Sequence, residues 1–282
     1  MSMNLLQKIK RNQKIIHDDS PVIMGILNVT PDSFSDGGKF NHVDKAVERA
    51  LEMQQQGAHI IDIGGESTRP GAESVNALDE IDRVVPVIER LSQMSDVFIS
   101  IDTSKAVVME VAIQAGASMV NDVNALQDAG AVEICKKFGV TVCLMHMKGL
   151  PRIMQEDPRY DDVVAEVSDF LKQRAQHCID KGIAKDSIVI DPGFGFGKKL
   201  EHNLSLLKHY DALCSLNFPV MMGVSRKSML GLITGGDVDD RLIPGIAAVV
   251  AGYQKGGRIF RVHDVKETKD ALLLCEAVDS VK

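Results

Sequence analysis

The sequence lacks a long apolar run. No segment of the 282-residue chain approaches the ~20 apolar residues that a membrane-spanning helix requires. Residues 1–16 place Lys8, Lys10, Arg11 and Lys14 among few apolar side chains, so this segment lacks the apolar centre of a secretory signal peptide. We therefore expect a cytoplasmic protein with no membrane partner.

The chain has fewer basic residues than acidic residues. The chain has 32 Lys and Arg residues against 39 Asp and Glu residues, which gives a formal net charge of -7. General nucleic-acid binding favours a basic surface, so we expect no nucleic-acid partner. An anionic small molecule remains compatible with this charge, because a local cationic cluster can outweigh it.

Motifs for zinc binding and for a nucleophilic serine are absent. The five cysteines form no Cys-x-x-Cys pair, and we interpret them as reduced, mostly buried thiols. The chain has no His-Glu-x-x-His motif and no Cys/His spacing typical of zinc sites. The sequence around Ser225 lacks the second glycine of a Gly-x-Ser-x-Gly motif, which argues against an α/β-hydrolase nucleophile.

What the chain does contain is a regular alternation of two patterns. Short apolar segments occupy residues 22–27, 60–63, 97–101, 119–120, 140–145, 188–190, 220–224 and 259–260. Helical patterns follow them at 43–56, 76–94, 105–115, 128–138, 160–181, 200–216, 240–254 and 265–278. This order predicts an α/β protein with one (β/α)8 TIM barrel at 21–282, preceded by an N-terminal extension at 1–20. An open doubly wound sheet is the alternative.

Polar residues follow nearly every apolar segment. In a parallel barrel these residues meet at one rim, where active sites lie. Asp102, Asn121 and Asp191 follow the third, fourth and sixth segments, and their oxygens suit a flat heterocycle with several N–H donors. Hydrogen bonding within the barrel, or helix capping by Asp102, is the alternative. Three such residues at equivalent strand ends favour ligand binding, and we call them the polar floor.

A cationic wall is predicted at the same rim. Arg69 lies in the second loop, Lys227 follows the seventh segment, and Arg261 and His263 follow the eighth. Barrels often bind phosphate after their last two strands, so we expect a phosphate or diphosphate here. Surface charges paired with the outer helices are the alternative.

Two long loops, at 29–41 and 64–76, follow the first two segments. Loops of this length in a compact domain often close over a ligand. Asn28 and Asp36 flank or lie in the first loop, and their oxygens suit a Mg2+ ion shared with phosphate oxygens.

The segment Asp191-Pro-Gly-Phe-Gly-Phe-Gly-Lys198 superficially resembles a phosphate-binding loop. It fails the P-loop pattern, because Pro192 replaces the first glycine and Lys199 replaces Ser or Thr. We predict instead that its glycines allow a sharp turn that presents Phe194 or Phe196 to a ligand. For His146, after the fifth segment, structural and catalytic roles both stay open. The helix around 246–251 is apolar on every face, which predicts burial against the barrel or another subunit.

Five segments closely resemble motifs of the bacterial dihydropteroate synthases, and the similarity extends from about residue 21 to the C-terminus. They are 28–38, 62–71, 191–197, 225–228 and 261–264. The resemblance implies a homodimeric (β/α)8 barrel that uses Mg2+ and joins 6-hydroxymethyl-7,8-dihydropterin diphosphate to p-aminobenzoate. The products would be 7,8-dihydropteroate and diphosphate, in a step of folate synthesis blocked by sulfonamides.

The resemblance also implies roles for individual residues. The pterin would be bound by Asp102, Asn121, Asp191 and Lys227. The diphosphate would be bound by Asn28, Thr68, Arg69, Arg261 and His263, with Asn28 and Asp36 as Mg2+ ligands. The p-aminobenzoate pocket would be formed by Phe34, Thr68, Pro70, Phe196, Lys227 and Ser228. The predicted catalytic residues are Lys227, Asp191, Asp102 and Asp36.

Two other functions remain as alternatives. A pterin-dependent methyltransferase shares the barrel and the polar floor but transfers a methyl group to a corrinoid, and it needs no diphosphate site. A non-catalytic pterin-binding or scaffold protein is the third hypothesis, against which the two long loops and the full cationic wall argue. Asp62 lies within the second apolar segment and His146 follows the fifth, and we expect both to support the polar floor rather than react.

Overall fold

The computed structural model describes residues 5–30, 39–67, 74–149 and 154–281. The strands are β1 (Val22–Asn28), β2 (Ile60–Gly64), β3 (Phe98–Asp102), β4 (Met119–Asp122), β5 (Thr141–Met145), β6 (Ile188–Asp191), β7 (Met221–Met222) and β8 (Ile259–Val262). All the strand pairs are parallel, in the order β6-β5-β4-β3-β2-β1-β8-β7. A single bridge between Ile190 and Val220 joins the two ends of the sheet. The predicted barrel is therefore confirmed.

Helices connect the strands. Those in the described residues are α1 (Leu5–Ile16), α2 (Lys39–Gln56), α3 (Ala77–Met94), α4 (Ala106–Ala115), α5 (Ala131–Phe138), α6 (Val163–Asp180), α7 (Leu200–Lys208), α8 (Tyr210–Cys214), α9 (Ser228–Thr234), α10 (Leu242–Gln254) and α11 (Val265–Asp279). Short 3-10 turns occupy Lys185–Ser187 and Val238–Arg241.

Several predicted boundaries were wrong for local reasons. The predicted helix at 200–216 is two helices, because His209 leaves the helical region at φ -111° and ψ 33°. The helix predicted from residue 160 begins at Val163, where the Asp162 carboxylate accepts hydrogen bonds from the first backbone N–H groups. The helix predicted from residue 128 begins after Gly130, which has a left-handed conformation. Of the segment predicted at 220–224, only Met221–Met222 forms a strand.

Among the described residues, the hydrophobic core has two main compartments, and Met145, Met154 and Phe196 form a third, small cluster. Ile23 and Ile61 belong to the larger one, between the sheet and the helices. Met24 and Ile60 belong to the smaller one, which fills the interior of the barrel near the strand N-termini. Adjacent residues of a strand alternate between the compartments, as the two-residue period of a β-strand requires.

Helix α1 closes the N-terminal end of the barrel. The sequence pattern predicts an N-terminal extension here without a helix. Ile16 joins the interior compartment of the core, and the buried Asn12 donates from Nδ2 to Ser118 Oγ at 2.7 Å. The opposite end, at the strand C-termini, is thereby left as the accessible rim.

All five cysteines are free thiols, and Cys135, Cys143 and Cys178 are buried. Burial raises the pKa of each of these three thiols, so they are poor nucleophiles. Within the described ranges, no helix combines the length and the hydrophobicity needed to cross a bilayer.

Candidate active site

The ends of β1 to β4 align at the rim. Asn28 is level with Gly64, Gly64 with Asp102, and Asp102 with Asn121. Asp191 ends β6, on the far side of β5. The three residues of the polar floor are all buried. The structure therefore brings Asp102, Asn121 and Asp191 to one end of the barrel, as their positions after strands predict.

Asp62 connects the polar floor to the cationic wall. Its Oδ2 accepts a hydrogen bond from Asn121 Nδ2 at 3.0 Å and one from Arg261 Nε at 2.7 Å. The Asp62 side chain is fully buried, and its Oδ1 has no hydrogen-bond partner among the described residues. Because the amide nitrogen of Asn121 donates to Asp62, the amide oxygen is the atom that can accept from a ligand. The expectation that Asp62 supports the floor agrees with this arrangement.

Arg261 of the cationic wall contacts the polar floor directly. Besides its bond to Asp62, its Nη2 donates to Asp102 Oδ2 at 2.6 Å. Burial alone would lower the pKa of this guanidinium, but the carboxylates of Asp62 and Asp102 outweigh burial and raise the pKa. Arg261 is therefore a permanent cation held between two carboxylates, and a diphosphate would bind it against that competition.

Burial dominates the titration of the two floor carboxylates. It raises the pKa of Asp102 to about 7, although Arg261 opposes the rise. It also raises the pKa of Asp191, although Gly193 N donates to Asp191 Oδ1 at 2.7 Å. Carboxyl groups with raised pKa values in a cleft are typical of functional sites.

The turn after β4 is strained. Ala125 and Leu126 have φ angles of 53° and 56°, which are unfavourable for residues other than glycine. Arg174 of α6 donates to both of their carbonyl oxygens, at 2.5 and 2.6 Å. Leu126 N donates to Asp122 Oδ2 at 2.6 Å. These contacts fix the turn that follows β4, two residues after Asn121.

The remaining residues of the cationic wall lie after β7 and β8. Lys227 precedes α9, and its Nζ lies 4.1 Å from the centroid of the Phe196 ring. His263 Nδ1 lies 3.1 Å from Ser225 Oγ. β7 and β8 are paired, so these residues share one side of the rim.

A strained residue supports this side. Arg226, between Ser225 and Lys227, has a φ of 57°. Its guanidinium donates to both carboxylate oxygens of Asp264, at 3.2 and 2.5 Å. The bidentate pair connects the loop after β7 to the loop after β8.

Of the two aromatic residues predicted to face a ligand, Phe196 is the one near the wall. Phe194 is buried in the core, where its ring lies 6.2 Å from that of Tyr210. His146 is buried too, and its Nδ1 lies 2.9 Å from Lys198 Nζ. Burial and Lys198 lower the pKa of His146 to about 3, so its surroundings favour the structural role over the catalytic one.

The base of the second loop is held by residues that sequence reasoning did not identify. Val75 N donates to Glu66 Oε1 at 2.9 Å, which joins the two ends of the loop. Lys105, after β3, forms ion pairs with Glu66 and with the buried Glu80. Glu66 directly follows Gly64 and Gly65, so its place after a strand was the available signal. Five predicted site residues lie outside the described residues: Phe34, Asp36, Thr68, Arg69 and Pro70.

Comparison with known proteins identifies the family. Residues 24–263 match the family model described as pterin binding enzyme. The dihydropteroate synthase of Haemophilus influenzae is 47% identical over 270 residues, covering 96% of this chain and 98% of that protein. Two solved structures are also similar, and the alignment with each covers 94% of this chain. The Yersinia pestis dihydropteroate synthase in a sulfonamide complex has a TM-score of 0.89, 49% identity and 96% coverage of its own chain. The Xanthomonas albilineans dihydropteroate synthase with 4-aminobenzoic acid has a TM-score of 0.89, 47% identity and 95% coverage. This chain belongs to the dihydropteroate synthases of the pterin-binding enzyme family.

Proposed function

We propose that this protein condenses 6-hydroxymethyl-7,8-dihydropterin diphosphate with p-aminobenzoate, giving 7,8-dihydropteroate and diphosphate. One observation carries the proposal. The buried polar floor and the residues Lys227, Arg261 and His263 converge on one rim. A ring rich in N–H donors and an anionic leaving group need these two kinds of surface side by side.

The polar floor is proposed to bind the pterin. Asp102 and Asp191 offer carboxylate oxygens, and Asn121 offers its amide oxygen because Asp62 engages the amide nitrogen. A pterin carries ring N–H and amino groups that match these acceptors. The floor also stabilises positive charge that develops on the ring as the methylene C–O bond breaks.

The diphosphate is proposed to lie toward Arg261, His263 and Asn28, with Thr68 and Arg69 from the second loop. Asn28 ends β1 level with Gly64, and its amide oxygen is a hard ligand that suits Mg2+. We infer that Asn28 and Asp36 hold this ion. When bound, Mg2+ supplies charge neutralisation to the departing diphosphate.

The p-aminobenzoate is proposed to bind beside Phe196, Lys227 and Ser228, with Phe34, Thr68 and Pro70. Lys227 supplies the cation that a carboxylate needs, and the Phe196 ring supplies an apolar surface. The bond between the methylene carbon and the diphosphate oxygen breaks as positive charge develops on the pterin, the neutral amine attacks this carbon to form the new C–N bond, and the nitrogen then loses its proton to solvent. No protein nucleophile takes part, so positioning and electrostatics carry the rate.

A homodimer through α9, α10 and α11 is part of the proposal. Helix α10 packs against both neighbours and buries Ala248, Val249 and Tyr253 toward the barrel. Ile243 at its start is 75% exposed, and Leu232 of α9 is 68% exposed. Leu274 of α11 is also exposed. Such clustered apolar side chains mark association surfaces.

The test is a diphosphate-release assay with both substrates and Mg2+. Release that depends on p-aminobenzoate supports the proposal, and its absence contradicts it. Asp191→Asn and Lys227→Ala are the matched inactive controls, with turnover lowered at least ~100-fold and the thermal transition retained. The methyltransferase alternative predicts no diphosphate binding, so a calorimetric titration with diphosphate separates the two functions.

A further inference from the structure

Lys198 is a lysine with a buried ammonium group. Its side chain is 3% exposed. Nζ lies 2.9 Å from His146 Nδ1, 2.9 Å from Gly193 O, 3.0 Å from Phe196 O and 3.3 Å from His146 O. No carboxylate among the described residues forms an ion pair with it. A buried cation is costly unless hydrogen bonds replace its water, and here backbone carbonyls and a neutral imidazole do so.

The acceptors of Lys198 belong to two loops. His146 follows β5, whereas Gly193 and Phe196 lie in the loop after β6. The two backbones touch, because a Cβ on Gly193 would lie 2.0 Å from His146 O, and one on Gly197 would lie 2.1 Å from Lys148 O. Only glycine fits either position, and Lys198 Nζ donates hydrogen bonds to the carbonyl oxygens of His146, Gly193 and Phe196 on the two loops.

The clamped loop supports the Lys227 side chain. The Phe196 carbonyl accepts from Lys198, and the Phe196 ring lies 4.1 Å from Lys227 Nζ. Gly195 lies behind the Lys227 stem, and its N–H donates to Asn203 Oδ1 at 2.8 Å. A shift of the loop would therefore move the surface on which Lys227 rests.

We propose that Lys198 is a positioning residue for p-aminobenzoate, acting through the loop that holds Phe196 against Lys227. This inference rests on the proposed function. The cation does not meet the substrate, unlike the phosphate-binding lysine that the glycine-rich segment superficially suggests. The His146 imidazole also contacts the Lys198 Nζ and stays neutral, since burial and Lys198 lower its pKa to about 3. Burial lowers the pKa of Lys198 to about 7; Asp191 opposes this shift, and Lys227 and Lys148 add to it.

Steady-state kinetics of Lys198→Met provide the test, because methionine keeps much of the length and removes the ammonium. We expect the KM for p-aminobenzoate to rise at least ~10-fold, because the variant loses the hydrogen bonds of the Lys198 Nζ. The Kd of the pterin diphosphate should stay within about threefold, since the polar floor is unchanged. Lys199→Met is the matched control, because Lys199 is the exposed neighbour paired with Asp157 at 2.9 Å. It should leave both constants unchanged.

Hydrogen exchange tests the clamp without any substrate. The peptide covering 192–198 should exchange faster in Lys198→Met than in the wild type or in Lys199→Met. If Lys198→Met does not fold, Lys198→Gln keeps two N–H donors without the charge and takes its place. An unchanged KM for p-aminobenzoate in a folded Lys198 variant would overturn the inference, as would unchanged exchange. A wild-type protein without aminobenzoate-dependent diphosphate release would contradict the proposed function instead.

Discussion

At the scale of single residues, the site depends on buried side chains that do not themselves reach the molecular surface. Asp62 and Lys198 each lie behind a residue predicted to bind substrate, Asn121 and Phe196 respectively, and His146 lies behind Lys198. Removing one partner of such a buried hydrogen bond is costly, because the other partner is left unsatisfied. Substitutions behind the site should therefore affect binding as strongly as substitutions within it.

Asp62→Asn should lower kcat/KM for the pterin substrate at least ~10-fold. The carboxylate accepts from both Asn121 and Arg261, and an amide leaves Arg261 with one buried carboxylate fewer, at a cost of about 1–3 kcal/mol. Steady-state kinetics at saturating p-aminobenzoate measure the effect. Asp270→Asn, at an exposed aspartate of α11, is the control. Equal kcat/KM for Asp62→Asn and wild type would show that Asp62 orients neither partner.

His146 should make the protein less stable as the pH falls. Burial lowers the folded-state pKa of His146 from 6.5 to about 3. The unfolded chain therefore takes up the proton first, and the free energy of unfolding drops as the pH falls from about 6.5 toward 3. Asp102 and Asp122 have raised pKa values, so they make the folded state more stable as the pH falls. The effect of His146 is therefore measured as the difference between the variant and the wild type. Urea unfolding from pH 7 to 4.5 should show a shallower decrease for His146→Gln than for wild type; parallel curves would contradict it.

At the scale of elements, each loop at the rim is anchored by a different device. A carboxylate joins the two ends of the second loop, an arginine holds the turn after β4, and an ammonium group clamps the loop after β6. At the opposite end, α1 closes the barrel with Ile16 and Asn12. The helix contributes to stability and lies far from the chemistry.

Asn12→Ala should lower the free energy of unfolding by about 1–3 kcal/mol, because it leaves the buried Ser118 hydroxyl without its donor. Turnover should stay at the wild-type value, since Asn12 lies at the closed end of the barrel. Urea denaturation measures the stability. Lys10→Ala, at an exposed position of the same helix, should change it by less than about 0.5 kcal/mol. Equal stabilities of the two variants would show that α1 does not close the barrel.

At the scale of the whole molecule, the exposed apolar side chains are unevenly distributed. α9, α10 and α11 carry Leu232, Ile233, Ile243, Leu273, Leu274 and Val278. Ile243→Glu should therefore convert the proposed dimer to a monomer in sedimentation velocity. Leu78→Glu on α3 is the matched control, because Leu78 and Ile243 are both 75% exposed. A wild-type monomer, or a dimer that tolerates Ile243→Glu, would exclude this interface.

Much of the architecture follows from the sequence, because each strand and each helix has its own local period. The polar floor was predictable for the same reason, since Asp102, Asn121 and Asp191 directly follow apolar segments and lie at the C-terminal ends of strands. The supporting contacts were not, because they join residues far apart in the chain. Asp62 meets Arg261 across 199 positions. The structural role of Lys198 was not predictable, because the glycine-rich segment around it superficially resembles a phosphate-binding loop. The brevity of β7 depends on tertiary pairing that no local pattern encodes.

The two-residue strand β7 has a consequence for how the barrel responds to substrate. β6 and β7 are joined only by the bridge between Ile190 and Val220 among the described residues, so this seam has the weakest backbone pairing in the ring. Asp191 ends the strand on one side of it, and Lys227 follows the strand on the other. In the proposed binding mode, a pterin bound by both residues would span this seam, and its binding energy would add to the closure of the ring.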